Sequence, residues 1–224
     1  IGTIENGFAP IAARYNMEVN IHDPDQLPKV MIMVSEQDHC LEDMLYRKRS
    51  GELQMDVSAI VSNHLKLKPI ADHHQIPFYH LPITKETKPE QEAKLLALVE
   101  ETQTELVVLA RYMQILSDKA CAALEGRCIN IHHSFLPGFK GARAYHQAYE
   151  RGVKYIGATA HYVNSDLDEG PIIEQSVKRI SHSDSAADMV RKGKDCEVTA
   201  LAHGVRYHLE DRVIIHRNKT VVFA

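Results

Sequence analysis

The sequence predicts an α/β protein with a Rossmann-like, doubly wound and mainly parallel sheet, preceded by part of a small α+β domain. Two observations indicate this class. From residue 29 onward, short apolar runs alternate with amphipathic segments, as in parallel strands joined by helices. Several of these runs are apolar throughout, which is typical of strands that are covered on both faces.

The first residues are predicted to be a separate unit. An apolar stripe at helical spacing predicts a helix over Ile1–Met17, and its members are Ile4, Phe8, Ile11, Ala12 and Tyr15. A short strand is predicted at Glu18–Ile21, and two prolines within residues 24–28 indicate a linker. The predicted domains are therefore residues 1–23 and 29–224. One helix and one strand are too little to fold alone, so we expect an earlier part of the first module to be missing.

The larger domain is predicted to alternate strands with helices. The predicted strands are Val30–Val34, Val57–Ser62, Phe78–Leu81, Leu106–Ala110, Cys128–His132, Ile156–Val163 and Ile172–Ser176. The predicted helices are Cys40–Arg49 with Asp38 as its N-cap, Lys88–Glu101, Asp118–Leu124 and Ser185–Leu209. A terminal hairpin is predicted at Val213–His216 and Thr220–Phe223.

The composition is that of an ordinary globular protein, with 44% hydrophobic and 25% charged residues. The net charge of -4 and the lack of a long Lys/Arg cluster argue against nucleic acid as the main partner. No apolar run approaches the roughly 20 residues that would span a membrane. The four cysteines form no CxxC pair, which indicates a reducing cytoplasm and argues against a structural zinc site.

The most informative stretch runs from Asn130 to Gly141, where a predicted buried strand ends in polar residues and a loop. Open α/β sheets bind ligands at the carboxyl ends of such strands. Asn130 and His132 are two residues apart, so both side chains point to one side of a strand, whereas His133 points to the other. An amide N–H can donate to an oxyanion, and an imidazole can move a proton near neutral pH. A turn-capping Asn beside a solvated His explains these residues alone equally well.

A second polar cluster follows the strand at residues 156–163, in a loop that carries Asp166, Asp168 and Glu169 and ends at Gly170. Such clusters are usually solvated turns, and this one lacks the spacing of an EF-hand calcium loop. If this strand lies beside the strand Cys128–His132, an amide, an imidazole and a carboxylate converge at one sheet edge. The carboxylate can then hold a water molecule or take its proton.

A third loop, Arg111–Leu116, follows the strand Leu106–Ala110 with apolar and aromatic residues that can line a pocket for a flat ring. Taken alone, it is better explained as a buried strand–helix connection. The sequence contains no H-E-x-x-H zinc motif and no Gly-x-Ser-x-Gly elbow of a serine hydrolase.

Together, these motifs resemble the family of formyltetrahydrofolate-utilising hydrolases and transferases. The family's Asn-x-His and Ser-x-Leu-Pro-x-Phe-x-Gly stand at Asn130–His132 and Ser134–Gly141, and its His-x-Val-x-x-x-x-Asp-x-Gly stands at His161–Gly170. The resemblance covers roughly residues 29–224. Within the family, the deformylases are most similar, on the segments Asp38–Arg47, His132–Arg143 and Gly157–His161.

The resemblance implies hydrolysis of 10-formyltetrahydrofolate to formate and tetrahydrofolate, which supplies formate for purine biosynthesis and balances the one-carbon folate pools. It implies that Asn130 donates to the formyl oxygen, that His132 supports this charge and protonates N10, and that Asp168, with a raised pKa, deprotonates the attacking water. No metal and no bound cofactor is required. The implied folate-binding residues are Arg111, Tyr112, Met113, Ile115, Leu116, Gly141, His161, Val163 and Asn164.

The resemblance also implies that residues 1–23 end an ACT regulatory domain, a class that often binds amino-acid effectors. The uncovered stripe of the first helix predicts a homo-oligomer, either a dimer or a tetramer. Three alternatives stay open: a glycinamide ribonucleotide transformylase, a methionyl-tRNA formyltransferase and a folate-binding regulator without catalysis. Residues 35–43 contain four acids and no glycine, which argues against a phosphorylated amine as acceptor.

Overall fold

The computed structural model describes residues 2–17, 19, 21, 23, 26–138 and 143–224. The strands of its main sheet are β1 Lys29–Val34, β2 Asp56–Ser62, β3 Phe78–His80, β4 Leu106–Leu109, β5 Cys128–His132, β6 Tyr155–Tyr162 and β7 Ile172–Arg179. They form a seven-stranded sheet in the order β3-β2-β1-β4-β5-β6-β7. The first five are parallel, and β6 and β7 are each antiparallel to the preceding strand. The predicted mainly parallel sheet is confirmed, although β7 extends beyond its predicted end.

The helices are α1 Gly2–Tyr15, α2 His39–Ser50, α3 Lys68–His73, α4 Lys88–Glu101, α5 Asp118–Ala123, α6 Ala144–Arg151 and α7 Ala186–Leu209. The terminal hairpin pairs β8 Val213–His216 with β9 Lys219–Val222. The predicted helices are confirmed, and α7 begins with a capping box between Ser185 and Asp188. The sequence did not predict α6. Its buried residues Ala144, Tyr145 and Ala148 do recur at helical spacing, but eight residues are fewer than the roughly 11 over which a helical period can be recognised.

The sheet is the middle layer of the domain. Alternate residues of β1 point to opposite faces, so Val30 and Ile32 join the core beneath α2 and α7, whereas Met31 and Met33 join the core beneath α4 and α5. Because both faces are covered, β1 is buried at every position after Lys29. This accounts for the uninterrupted apolar runs of the sequence.

The register of β5 and β6 determines where the polar motifs meet. Asn130 lies opposite His161 across the two antiparallel strands. After β6, the N–H of Val163 donates to the carbonyl of Cys128, at the beginning of β5. The loop that follows β6 therefore returns along the face bearing Asn130 and His132. The predicted neighbours are confirmed, but this loop approaches along the sheet face because β6 is antiparallel.

The N-terminal helix lies at the surface. None of the described residues of α1 is buried, and Ile4, Ile11 and Tyr15 are 62%, 46% and 62% exposed. The predicted strand at Glu18–Ile21 depends on residues outside the described ones, and the linker and domain boundary stay predictions. In the part of the chain that the structure describes, no helix is long and apolar enough to cross a membrane.

Candidate active site

Asn130 on β5 and His161 on β6 form a hydrogen-bonded pair. Nδ1 of His161 lies 2.9 Å from the carbonyl oxygen of Tyr162, which can only accept, so Nδ1 carries the ring hydrogen. Burial lowers the pKa of His161, so Nε2 is unprotonated and accepts from Nδ2 of Asn130 at 3.1 Å. This fixes the orientation of the amide. The second amide hydrogen of Asn130 is then a donor on the cavity side.

His132 and Asp168 form the second pair. Nδ1 of His132 lies 3.2 Å from Oδ1 of Asp168, and both side chains are more than nine-tenths buried. The same carboxylate oxygen lies 3.9 Å from Nε2 of His161. The three predicted catalytic residues thus lie together, with His161 beside both the Asn130 amide and the Asp168 carboxylate.

The backbone around Asp168 is unusual. Asp168 has a φ of 58°, in the left-handed region that aspartate and asparagine tolerate better than most residues. Two residues later, Gly170 packs against the backbone of β6, and a Cβ there would overlap the carbonyl oxygen of Tyr162. That oxygen is the acceptor that fixes the tautomer of His161. Gly170 therefore determines both the loop position and the hydrogen bonding of the site.

The pKa of Asp168 is lowered, so the predicted raised pKa is wrong. Burial opposes ionisation of this carboxyl, but the hydrogen bond from His132 and its electrostatic attraction outweigh this effect. Asp168 is consequently a carboxylate at neutral pH. An ionised carboxylate can accept a proton from water, whereas a protonated one could not.

A cavity of about 200 Å³ opens beside these groups. Of the predicted folate-binding residues, eight line it, namely Arg111, Tyr112, Met113, Ile115, Leu116, His161, Val163 and Asn164. Gln114, Ser165 and Leu167 also line the cavity. They were not singled out as folate-binding residues, but they lie in the loops Arg111–Leu116 and Asn164–Asp168, which the resemblance implies hold the pterin. The ninth predicted residue, Gly141, lies outside the described residues.

The loop after β4 is attached to the loop after β1. The backbone N–H of Met113 donates to Oγ of Ser35 at 3.0 Å, and that hydroxyl donates to Asn63 at 2.7 Å. Met113 and Ile115 nevertheless expose half or more of their side chains toward the cavity mouth, whereas Tyr112 and Leu116 are buried. Two exposed apolar side chains on an anchored loop are suited to contact a flat ring.

The expected N-cap of α2 is absent. Asp38 has helical backbone angles and makes no side-chain capping hydrogen bond, so the prediction that it caps this helix is wrong. His39 instead directs its ring toward α7, where Nε2 lies 2.8 Å from Oε2 of Glu197.

Glu197 is the principal site residue that sequence reasoning missed. It is 1% exposed on α7, accepts from the hydroxyl of Tyr145 at 2.8 Å, and lies 3.3 Å from Nε of Arg111. Burial opposes its ionisation, but the hydrogen bond from His39 and the charge of Arg111 lower its pKa. The only signal in the sequence is that Glu197 falls within the apolar stripe of α7. An acidic side chain in such a position is seldom buried unless it has a partner.

His39, Cys40 and Glu197 also lie close enough together to resemble a metal site. The donors are poorly suited to this role. Burial raises the pKa of the Cys40 thiol well above its usual value, and metals bind the thiolate. In addition, the Arg111 guanidinium already contacts the carboxylate.

His133 provides a prediction on pH. Burial, aided by the charges of Arg111 and His132, lowers its pKa to about 4. Between that value and the unfolded pKa of about 6.5, only the unfolded chain binds the proton, so stability must fall as the pH decreases. From pH 7 to pH 5, His133 is expected to remove about 2 kcal/mol from the free energy of unfolding. Urea unfolding at both pH values measures this loss, and His133→Phe should reduce it by that amount.

A matched control is His182→Gln, at an exposed position after β7. It should leave the pH dependence unchanged. An equal loss of stability between pH 7 and pH 5 in wild type and His133→Phe would contradict the assigned pKa.

Comparison with known proteins agrees with this geometry. The family model described as formyl transferase matches residues 28–205. A formyltetrahydrofolate deformylase from Corynebacterium sp. (strain P-1) is 50% identical over 222 residues, which cover 99% of this chain and 78% of that protein. One from Synechocystis sp. is 52% identical over 98% of this chain and 77% of its own length.

Solved structures give the same result. The crystal structure of a formyltetrahydrofolate deformylase from Pseudomonas syringae pv. tomato superposes with a TM-score of 0.96 at 50% identity, over 100% of this chain and 75% of that one. Glycinamide ribonucleotide transformylase 1 from Symbiobacterium toebii superposes with a TM-score of 0.83 at 26% identity, over 92% and 99% of the two chains. The chain therefore belongs to the formyl transferase family and, within it, to the formyltetrahydrofolate deformylases.

Proposed function

We propose that this protein hydrolyses 10-formyltetrahydrofolate to formate and tetrahydrofolate, with water as the formyl acceptor. The observation that carries the proposal is the meeting of Asn130, His132 and Asp168 at one cavity. An oxyanion donor, an imidazole and an ionised carboxylate are the groups that hydrolysis of a formamide needs. The similarity to proteins named formyltetrahydrofolate deformylase supports the choice of substrate.

In the proposed mechanism, Asp168 takes a proton from water as the water oxygen forms a bond to the formyl carbon. The formyl oxygen becomes an oxyanion, which accepts the second amide hydrogen of Asn130. The bond from carbon to N10 then breaks and N10 takes a proton from His132, whose ring is held by the 3.2 Å contact with Asp168. Afterwards Asp168 gives its proton to solvent and His132 takes one from solvent. The products are formate, tetrahydrofolate and one proton released to solvent.

We propose that the folate ring lies between two loops. Residues 111–116 form one wall of the cavity, and residues 163–168 form the other. Met113, Ile115 and Leu167 present exposed apolar surface at its mouth. We propose that His161, which lines the cavity, also holds the Asn130 amide in its orientation through its two hydrogen bonds.

The loop after β1 supports water over a phosphorylated amine. The loop carries exposed Glu36, and the first turn of α2 carries exposed Glu42. Residues 35–43 contain no glycine that would let the backbone approach a phosphate. Asp38 does not cap α2, so it does not occupy the free N–H groups at the start of this helix, but the acidic side chains would still repel a phosphate dianion. His39 is paired with Glu197 and is directed away from such a ligand.

The experiment that tests the proposal supplies 10-formyltetrahydrofolate without any acceptor and follows tetrahydrofolate release. We expect sustained turnover, and glycinamide ribonucleotide should be neither formylated nor inhibitory. Formylglycinamide ribonucleotide made at a rate close to that of formate would instead assign the chain to the transformylases. Folate binding without either product would assign it to non-catalytic regulators.

Further proposals concern the cellular setting. We propose that the enzyme acts in the cytoplasm without a metal or bound cofactor and supplies formate to purine biosynthesis. We also propose that residues 1–23 belong to an ACT domain, which can bind an amino-acid effector.

The exposed side chains of Ile4, Ile11 and Tyr15 support a homo-oligomer, a dimer or a tetramer. Light scattering of the full chain should give at least twice the monomer mass, and a monomer at micromolar concentration would contradict this.

A further inference from the structure

The buried ionic cluster beside the catalytic cavity is not used by the proposed mechanism. It consists of Arg111 after β4, His39 at the beginning of α2, Tyr145 on α6 and Glu197 on α7. Glu197 is its centre, because the other three side chains all lie within 3.3 Å of one of its carboxylate oxygens. Four separate segments of the chain thus meet at one carboxylate.

Arg111 is held there at a cost in stability. Its φ of 65° lies in the left-handed region, where a residue with a long side chain is uncommon. Its buried Nε and Nη1 atoms have no hydrogen-bond partner among the described residues. Strain and unsatisfied buried groups persist mostly where the surrounding structure holds them for function.

The opposite side of the cluster is shaped to hold Glu197 in place. A Cβ at Gly193 would overlap the ring of Tyr145, so only glycine lets this ring lie against α7. Gly193 precedes Glu197 by four residues and therefore lies on the same face of the helix. The ring can then direct its hydroxyl to the carboxylate.

The cluster also adjoins the reacting groups. Arg111 and His133 both line the catalytic cavity, and the ring of His133 lies 5.2 Å from that of His132 and 6.0 Å from that of Tyr145. The end of the cavity that Arg111 and His133 line therefore lies beside the cluster centred on Glu197. The open side of the cavity, between residues 111–116 and 163–168, is the side that we assign to the folate.

We propose that the Arg111–Glu197 pair, held by His39 and Tyr145, is the wall that excludes amines from the formyl carbon and leaves only water as nucleophile. This inference rests on the proposed hydrolysis. Arg111 acts as a specificity-determining residue, because its side chain fills the space through which a larger nucleophile must reach the carbon. A water molecule enters with the substrate and needs no such passage.

The test uses the full chain, 10-formyltetrahydrofolate and glycinamide as the probe amine. In formyl transfer, the bond from carbon to N10 breaks, a bond to the amine nitrogen forms, and the amine loses a proton while N10 gains one. We expect wild type to make formate without detectable formylglycinamide. Arg111→Gly should raise the ratio of formylglycinamide to formate by at least about 10-fold, in proportion to glycinamide concentration.

Two further variants are compared with wild type and Arg111→Gly in the same assay. Arg111→Gly removes the arginine partner of the buried Glu197 carboxylate, which can destabilise the fold. The double variant Arg111→Gly with Glu197→Gln removes both charges, so it tests the same opened space without a buried carboxylate that has lost its arginine partner. Arg217→Gly is the control, because Arg217 also has a left-handed backbone, with a φ of 56°, but is exposed in the terminal hairpin. It should keep the product ratio of wild type.

The outcomes separate the two proposals. If wild type releases no tetrahydrofolate without an amine, the proposed hydrolysis is wrong. If wild type hydrolyses the substrate but also formylates glycinamide in proportion to its concentration, the Arg111–Glu197 pair does not exclude amines. The results with the variants cannot then rescue the proposal. If the folded variants keep the product ratio of wild type, Arg111 does not determine the nucleophile.

Discussion

Replacement of Asp168 by asparagine is expected to lower kcat for formate release by at least about 100-fold, with folate affinity within a few-fold of wild type. The carboxamide is nearly isosteric and tolerates the left-handed backbone at this position, so the loop should keep its path. It cannot take a proton from water. Steady-state kinetics and a folate titration measure the two quantities.

Asn130→Ala and His132→Ala should reduce turnover by a similar factor, since loss of one oxyanion donor costs about 2.7–4 kcal/mol of barrier. Asp166→Asn is the control, because Asp166 is exposed in the same loop. Normal kcat in any of the three variants would remove that residue from the mechanism. Low kcat in Asp166→Asn would show that any change in this loop impairs turnover.

Gly170→Ala is expected to lower kcat by about 100-fold, although it removes no reacting group. It should displace the Asp168 carboxylate, and a displacement of about 1 Å has effects of this size. The new methyl group would overlap the carbonyl oxygen of Tyr162, so either the loop or β6 must move. Both Asp168 and the hydrogen bond that orients His161 then shift. The measurement is kcat, combined with circular dichroism to confirm that the variant is folded.

Gly7→Ala is the matched control for this substitution. A Cβ at Gly7 meets nothing within 4 Å, and Gly7 lies on the exposed helix α1. It should leave kcat unchanged. Wild-type kcat in Gly170→Ala would indicate that the loop adapts without moving Asp168, which would contradict the role assigned to this glycine.

Much of the fold follows from local sequence patterns. A run such as Val30–Val34 is typical of a strand covered on both faces, and its neighbours alternate with segments of helical period. The short helix α6 is different, because Tyr145 is stabilised by α7 rather than by its own segment. Contacts that are distant in sequence leave no local period.

Part of the site could also be predicted from local sequence patterns. Asn130, His132 and Asp168 belong to motifs in which spacing alone places side chains together. The direction of the Asp168 pKa shift could not be predicted, because it depends on the hydrogen bond from His132, which exists only once the loop after β6 lies beside β5. Glu197 and Arg111 could not be paired from the sequence, since 86 residues and several elements separate them.

The central claim is that water held by Asp168 attacks the formyl carbon. A single turnover in ¹⁸O-labelled water tests it most directly, with mass spectrometry of the formate and of the peptide that contains Asp168. We predict one ¹⁸O atom in each formate and none in the Asp168 side chain. Unlabelled formate together with ¹⁸O in Asp168 would contradict this account, because the carboxylate itself would then be the nucleophile.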